Sequence, residues 1–232
     1  MEYLNTMTTS SRAFKDAAYK HLALVGKALS SPVRLEILEL LGQAPRPVEV
    51  LAGEINQSVA NTSQHLQVLK RAQIVTAERE GLRVVHSLAG MDVAALVVDL
   101  QAVGARHVAG LEGLTREFFA DRDCLDAIDR DTLQARMQSG DVVLLDVRPE
   151  HEFDQAHLPG ALSVPLTTLE ARLGDLPSGR TIVAYCRGPY CTLSADAVRL
   201  LRQSGFDAVR TEVSVHNSPV AGLRSQMSME SK

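Results

Sequence analysis

Apolar positions recur at helical spacing through the first half of the chain and in short, strand-length runs through the second, with the change near residue 122. Phe14, Ala18, Leu22, Val25 and Leu29 share one helical face. Ser31-Pro32 restarts the chain, because serine can cap a helix and proline suits its first turn. Leu35, Leu38 and Leu41 line the helix that follows, and Gly42 is its expected stop. A third helix is predicted from about Pro47 to Ile55, with Asn56-Gln57 as a tight turn. Ser58 then caps a fourth helix reaching about Ala72. Ile74–Glu78 and Leu82–Leu88 read as strands joined by Arg79-Glu80-Gly81, where glycine suits a positive φ. A fifth helix is predicted from about Met91 to Phe119. Val93, Val97, Leu100, Gly104, His107, Leu111, Leu114 and Phe118 follow a 4-3-4-3 spacing along it. That seam is too long for a small domain to cover alone, so a two-helix dimer contact is expected.

After residue 122, the apolar runs Val142–Asp146, Ala161–Pro165 and Thr181–Tyr185 have strand length. Helical patterns separate them, notably Leu166–Leu173 and Leu193–Gln203 with Gly205 behind. The expected architecture is therefore two domains. A mainly α winged helix-turn-helix spans 10–120, and an α/β domain with a mostly parallel sheet spans 129–224. Ala120-Asp121-Arg122-Asp123-Cys124 marks the boundary, and Arg224 to Lys232 is expected to fray.

Composition narrows the function classes. The 232 residues are 45% apolar and 22% charged, ordinary globular values that exclude low complexity for most of the chain. Tryptophan is absent, so the core must be mostly aliphatic. The net charge of -4 excludes a polycation, and residues 1–122 balance 13 Lys/Arg against 13 Asp/Glu. Three cysteines do not make a disulfide framework, and a reducing cytoplasm is expected. No apolar run opens the chain as a signal peptide would, and none is long enough to span a bilayer.

On a helical wheel the fourth helix turns Val59, Leu66 and Leu69 inward, with Ser63 beside them, and Asn61, Gln64, His65 and Val68 outward. Asn61, Thr62, Ser63, Gln64 and His65 form a short polar stretch suited to base edges in a major groove. Lys70 and Arg71 at its end, and Arg79 and Arg83 on the wing, suit phosphates. Ala28-Leu29-Ser30-Ser31-Pro32-Val33-Arg34-Leu35-Glu36-Ile37-Leu38 and Asn61-Thr62-Ser63-Gln64-His65-Leu66-Gln67-Val68-Leu69 resemble the ArsR family of bacterial repressors. The resemblance implies a homodimer, built through its first and fifth helices, that binds a double-stranded, inverted-repeat operator and leaves it when an inducer arrives. Many members of that family bind metal through cysteines on the third helix or His and Asp on the fifth. The third helix here has no thiol or imidazole, and His107 stands alone on the fifth, so no metal site is expected there.

Cys186 follows the third of the strand-length runs and precedes a helix, the place where parallel α/β domains carry functional groups. In Cys186-Arg187-Gly188-Pro189-Tyr190-Cys191 the backbone amides and the helix start would surround the sulfur and favour a thiolate, with Arg187 adding positive charge. Asp146-Val147-Arg148, Glu152-Phe153, His157-Leu158-Pro159-Gly160-Ala161 and Tyr185-Cys186-Arg187-Gly188 resemble the landmarks of a rhodanese domain. The resemblance implies a Cys186 persulfide charged by a sulfane-sulfur donor, with Asp146, Arg148 and Glu152 in largely structural roles and no cofactor. Three departures stand out: Cys191 at the loop's sixth position, Ala156 where glycine is usual, and no Gly-x-x-x-Trp near Ser214–Ser218. Cys191 is thereby a candidate redox partner of Cys186. The expected function is a transcriptional repressor that responds to reactive sulfur or redox state through Cys186. The rival expectation is a sulfurtransferase whose winged domain serves dimerisation or localisation, and a third is a degenerate second domain that mediates protein contacts.

Overall fold

The computed structural model describes residues 10–122, 124, 126–217 and 226–227. They form two compact units, one comprising residues up to 41 with 45–90, the other 42–44 with 91 onward.

In the first unit, α1 (Ser11–Leu29) is capped by Ser10, whose side chain accepts from the Ala13 N–H. There follow α2 (Pro32–Gln43), β1 (Arg46–Pro47), α3 (Val48–Glu54) and α4 (Val59–Arg71), then β2 (Val75–Glu80) and β3 (Arg83–Leu88). Ser58 caps α4 by accepting from the Asn61 N–H, as its position before the helix suggested. Ile37, Leu38, Leu51, Leu66 and Leu69 are fully buried and make the centre of this unit's core. The wing is tighter than the sequence suggested. Glu80 pairs with Arg83, leaving Gly81-Leu82 as a two-residue turn with Gly81 at φ 62°. The wing also gains a third strand, β1, in the order β1-β3-β2. Two residues ending in proline carry no strand signal of their own, and proline is tolerated because β1 lies at the sheet's edge.

The second unit opens with α5 (Met91–His107) and α6 (Leu111–Ala120), bent by 94°. This corrects the single fifth helix expected from Met91 to Phe119. Gly110 adopts φ 94°, a left-handed conformation that ends one helix and starts another. The continuous seam is broken with it: Val93 and Val97 are buried, whereas Leu114 is 65% exposed. Then come β4 (Ala127–Ile128), α7 (Arg130–Ser139), β5 (Val142–Asp146), α8 (Glu150–Gln155), β6 (Ala156–His157), β7 (Leu162–Ser163) and α9 (Leu166–Leu169). After a 3-10 turn at Glu170–Asp175 follow β8 (Thr181–Tyr185), α10 (Leu193–Gln203), β9 (Ala208–Thr211) and β10 (Gln226–Met227). The main sheet has five strands in the order β4-β9-β8-β5-β7, every pair parallel. The run Ala161–Pro165 contracts to β7, and β10 pairs antiparallel with β6. Apart from β10, the tail expected to fray lies outside the described residues.

Both faces of this sheet are covered, which is why β5 and β8 read as unbroken apolar runs. Ile182 and Ala184 of β8 pack with Leu145, Val198 and Leu201 on one face. Val183 and Tyr185 pack with Leu133, Leu144 and Leu158 on the other. Among the described residues no single helix is long and apolar enough to cross a membrane.

Candidate functional site

Cys186 leaves the C-terminal end of β8, and the chain curls through Arg187-Gly188-Pro189-Tyr190 to Cys191 before α10 begins. The Cys191 N–H donates to the Gly188 carbonyl at 3.2 Å and closes the curl. Cys186 is 3% exposed and Cys191 9%. The Cys186 Sγ lies 3.3 Å from the Ser194 Oγ and 3.5 Å from the Cys191 carbonyl oxygen. Burial alone would push the thiol's pKa up. Hydrogen bonds to the sulfur from the Cys191 thiol, the Ser194 hydroxyl and the Ser194 and Gly188 amides outweigh it and lower the pKa to about 7. Cys191 moves the opposite way, raised by its hydrogen bond to Cys186 and then by burial. A pH series of iodoacetamide alkylation, with Cys186 followed by peptide mass spectrometry, should therefore turn near pH 7. In Ser194→Ala the midpoint should rise by about one pH unit, the size of one hydrogen bond to a charged group; an unmoved midpoint would remove Ser194 from the thiolate's support.

Arg187 has a partner that the sequence did not suggest. Its guanidinium clamps Glu152, with Nη2 to Oε1 at 2.5 Å and Nε to Oε1 at 3.1 Å. Glu152 is fully buried, and a desolvated carboxylate draws the nearest cation. The hydrogen bonds that lower the thiol's pKa come from uncharged groups, and the Arg187–Glu152 pair ties the loop to α8. Behind it, Asp146 and Arg148 form a buried pair. Arg148 Nη2 donates to Asp146 Oδ2 at 2.6 Å, and Nε donates to Oδ1 at 3.0 Å. The Tyr185 hydroxyl donates to the same Asp146 Oδ2 at 2.5 Å and accepts from the Leu158 N–H. Among the described residues no group of three His, Cys, Asp or Glu side chains gathers as metal ligands would.

On α4 the buried face is Thr62, Leu66 and Leu69. Two expectations are corrected here. Thr62 is fully buried with its hydroxyl donating to the Ser58 carbonyl, so it cannot meet a base, and Val59 is 45% exposed rather than inward. At the first turn of a capped helix the hydroxyl of Thr62 finds a backbone acceptor, and its methyl can then join the core. Gln64 is exposed, and Asn61, Ser63 and His65 are half-buried. Asn61 donates to Gln57 Oε1 at 2.7 Å. Partial burial and then Arg34 lower the His65 pKa. Arg71, Arg79 and Arg83 are exposed, and Lys70 is half-buried.

A helix-turn-helix domain model matches residues 29–78, and a rhodanese-like domain model matches residues 129–215. The HTH-type transcriptional regulator Rv0324 of Mycobacterium tuberculosis is 40% identical over 209 residues, covering 90% of this chain and 92% of that protein. This chain belongs to the HTH-type transcriptional regulators, with a rhodanese-like domain as its second half. A sulfurtransferase of Allochromatium vinosum is 33% identical to the regulator over 86 residues, 37% of this chain and 78% of that one. The solution structure of a homodimeric winged helix-turn-helix DNA-binding domain from Mycobacterium bovis, a possible ArsR-family regulator, is 41% identical. It covers 40% of this chain and 87% of its own, with a TM-score of 0.39.

Several residues of the regulator's site were missed in the sequence. Ser194, the hydroxyl on Cys186, lies eight positions downstream; its signal was a polar residue in the first turn of the helix after the cysteine loop. Tyr185, read as the end of an apolar strand and part of the cysteine landmark but given no role of its own, carries the hydroxyl that ties Asp146 to Leu158. Where glycine and tryptophan were missing, Asn217 closes the segment. Its Oδ1 accepts from the Ser214 N–H and its Nδ2 donates to the Glu212 carbonyl, both at 2.7 Å. Finally, Pro189 and Tyr190 of the cysteine loop line a cavity of about 300 Å3 with Leu111, Thr115 and Phe119 of α6.

Proposed function

We propose that this regulator is a homodimeric, operator-binding repressor that responds to reactive sulfur through Cys186. The observation that carries the reading is a buried thiol at the end of β8 with the Ser194 hydroxyl 3.3 Å from its sulfur. In this reading a sulfane-sulfur donor such as thiosulfate or polysulfide converts Cys186 to a persulfide. Asn61, Ser63, Gln64 and His65 read base edges of an inverted repeat, and Lys70, Arg71, Arg79 and Arg83 meet phosphates. A second copy covers the exposed Phe14, Tyr19 and Leu22 of α1 and the exposed Leu96, Leu100 and Val103 of α5. The test is operator affinity with and without inorganic polysulfide, while mass spectrometry follows Cys186. Persulfidation should weaken binding by about 5–150-fold, the usual range for coupled sites. A persulfidated protein with unchanged affinity overturns the reading. A second reading, a sulfurtransferase that turns over, is favoured by the same thiol; steady sulfur transfer from thiosulfate to an added thiol, with operator binding unaffected, would establish it.

The DNA face makes its own prediction. Gln64→Ala and His65→Ala should each lose about 1–3 kcal/mol of discrimination between operator and altered sites. Arg83→Ala should weaken all sequences alike and reduce the salt slope by about one. Competition binding over a salt series separates the two effects, and full discrimination in the Gln64/His65 double variant would put another face in the groove.

A further inference from the structure

We infer that Cys191 is the internal acceptor of the Cys186 persulfide, closing a Cys186–Cys191 disulfide and releasing sulfide. The inference rests on the proposed chemistry of Cys186 and adds what happens to its sulfur. The two thiols are free and buried, and the Cys186 sulfur lies 3.5 Å from the backbone carbonyl oxygen of Cys191. The curl that brings them together is closed by the Cys191–Gly188 backbone bond. Cys124 is directed elsewhere, its sulfur 3.1 Å from the Arg122 carbonyl oxygen and 3.5 Å from that of Ala195.

The chemistry balances without a further oxidant. The Cys186 thiolate attacks the outer sulfur of thiosulfate, the S–S bond of the donor breaks, and sulfite departs with the electron pair. Cys186 then carries one extra sulfur. The Cys191 sulfur attacks the inner sulfur of that persulfide, so a Cys191 Sγ–Cys186 Sγ bond forms and the bond to the outer sulfur breaks. The outer sulfur leaves with the electron pair and takes the Cys191 proton, departing as hydrosulfide. Both cysteine sulfurs are oxidised and the sulfane sulfur is reduced. Burial favours this route over an external acceptor. At 3% exposure a small anion can charge Cys186 as the loop opens, but a bulky thiol must displace the loop to reach the persulfide. Cys191 is on the same closed loop, its backbone 3.5 Å from the Cys186 sulfur, with the kinetic advantage of an intramolecular partner.

The test uses the full, reduced chain and thiosulfate as the probe. The wild type should give a peptide pair joined through Cys186 and Cys191, with one sulfite and one sulfide released per chain. Cys191→Ser and Cys191→Ala, checked for a wild-type melting curve, should accumulate the Cys186 persulfide and release sulfite without sulfide. The persulfide should decay at least about tenfold faster in the wild type than in either variant. Equal persulfide lifetimes, or a bridge to Cys124, would overturn the inference and leave the proposed role of Cys186 standing. No persulfide in the Cys191 variants would overturn that role itself.

Discussion

Cys186→Ser is expected to bind operator as tightly as the reduced wild type and to lose the sulfur response entirely. Serine is nearly the same size, and its hydroxyl can pair with the Ser194 Oγ and the Cys191 carbonyl that now surround the sulfur. The fold should therefore tolerate it. A hydroxyl is not ionised near neutral pH and is a weak nucleophile without a base beside it. The expected release of about 5–150-fold in the wild type should then fall to none. Fluorescence anisotropy on labelled operator, before and after polysulfide, reads both quantities. Release from Cys186→Ser equal to that of the wild type would move the sensing group elsewhere. The loop also has a route to repack its surroundings, because Pro189 and Tyr190 share a cavity with α6.

Asp146→Ala should be the most damaging single change to the second unit's stability. Asp146 and Arg148 are both fully buried, and Asp146 accepts from the Arg148 side chain, the Arg148 N–H and the Tyr185 hydroxyl. Alanine leaves the guanidinium with the Gln43 Oε1 and the Ala156 carbonyl, each at 2.8 Å, and a longer ion pair to Glu152 at 3.9 Å, so no carboxylate remains in close contact. Breaking a buried pair from one side costs about 3–5 kcal/mol, because the remaining charge stays desolvated. For a domain of this size that corresponds to a fall of more than about 10 °C in the melting temperature. Tyr185→Phe removes only the hydroxyl and should cost about 1–3 kcal/mol. Differential scanning calorimetry gives the order; a smaller loss for Asp146→Ala than for Tyr185→Phe would show that the unpaired Arg148 charge does not set the cost.

Local periodicity made much of this protein legible. The 3.6-residue rhythm, the Ser58 cap and the Gly81 turn placed α1, α2, α4 and the wing. The apolar runs placed β5 and β8, and so put Cys186 at a strand end. These features depend on neighbours a few residues apart, so a single sequence carries them. The outward set Asn61, Gln64 and His65 was also local, but its rotation was not. Thr62 takes the buried place given to Val59, because burial depends on which helix surface the rest of the unit covers. The break at Gly110 was hidden by an uninterrupted seam. Apolar spacing continues through a glycine, and only the backbone angle reveals that the axis turns.

The cysteine site divides in the same way. The thiol, its loop and Cys191 are contiguous and could be read directly. Arg187 was adjacent to Cys186, yet its charge goes to Glu152, 35 residues earlier, and the sulfur is served by Ser194 from the next helix. Sequence composition and periodicity determined the elements, their order and the chemical groups available. Tertiary structure decided which groups meet: once packing excludes water, each buried charge and each polar atom must take the partner that the fold brings within hydrogen-bonding distance, whatever its distance along the chain.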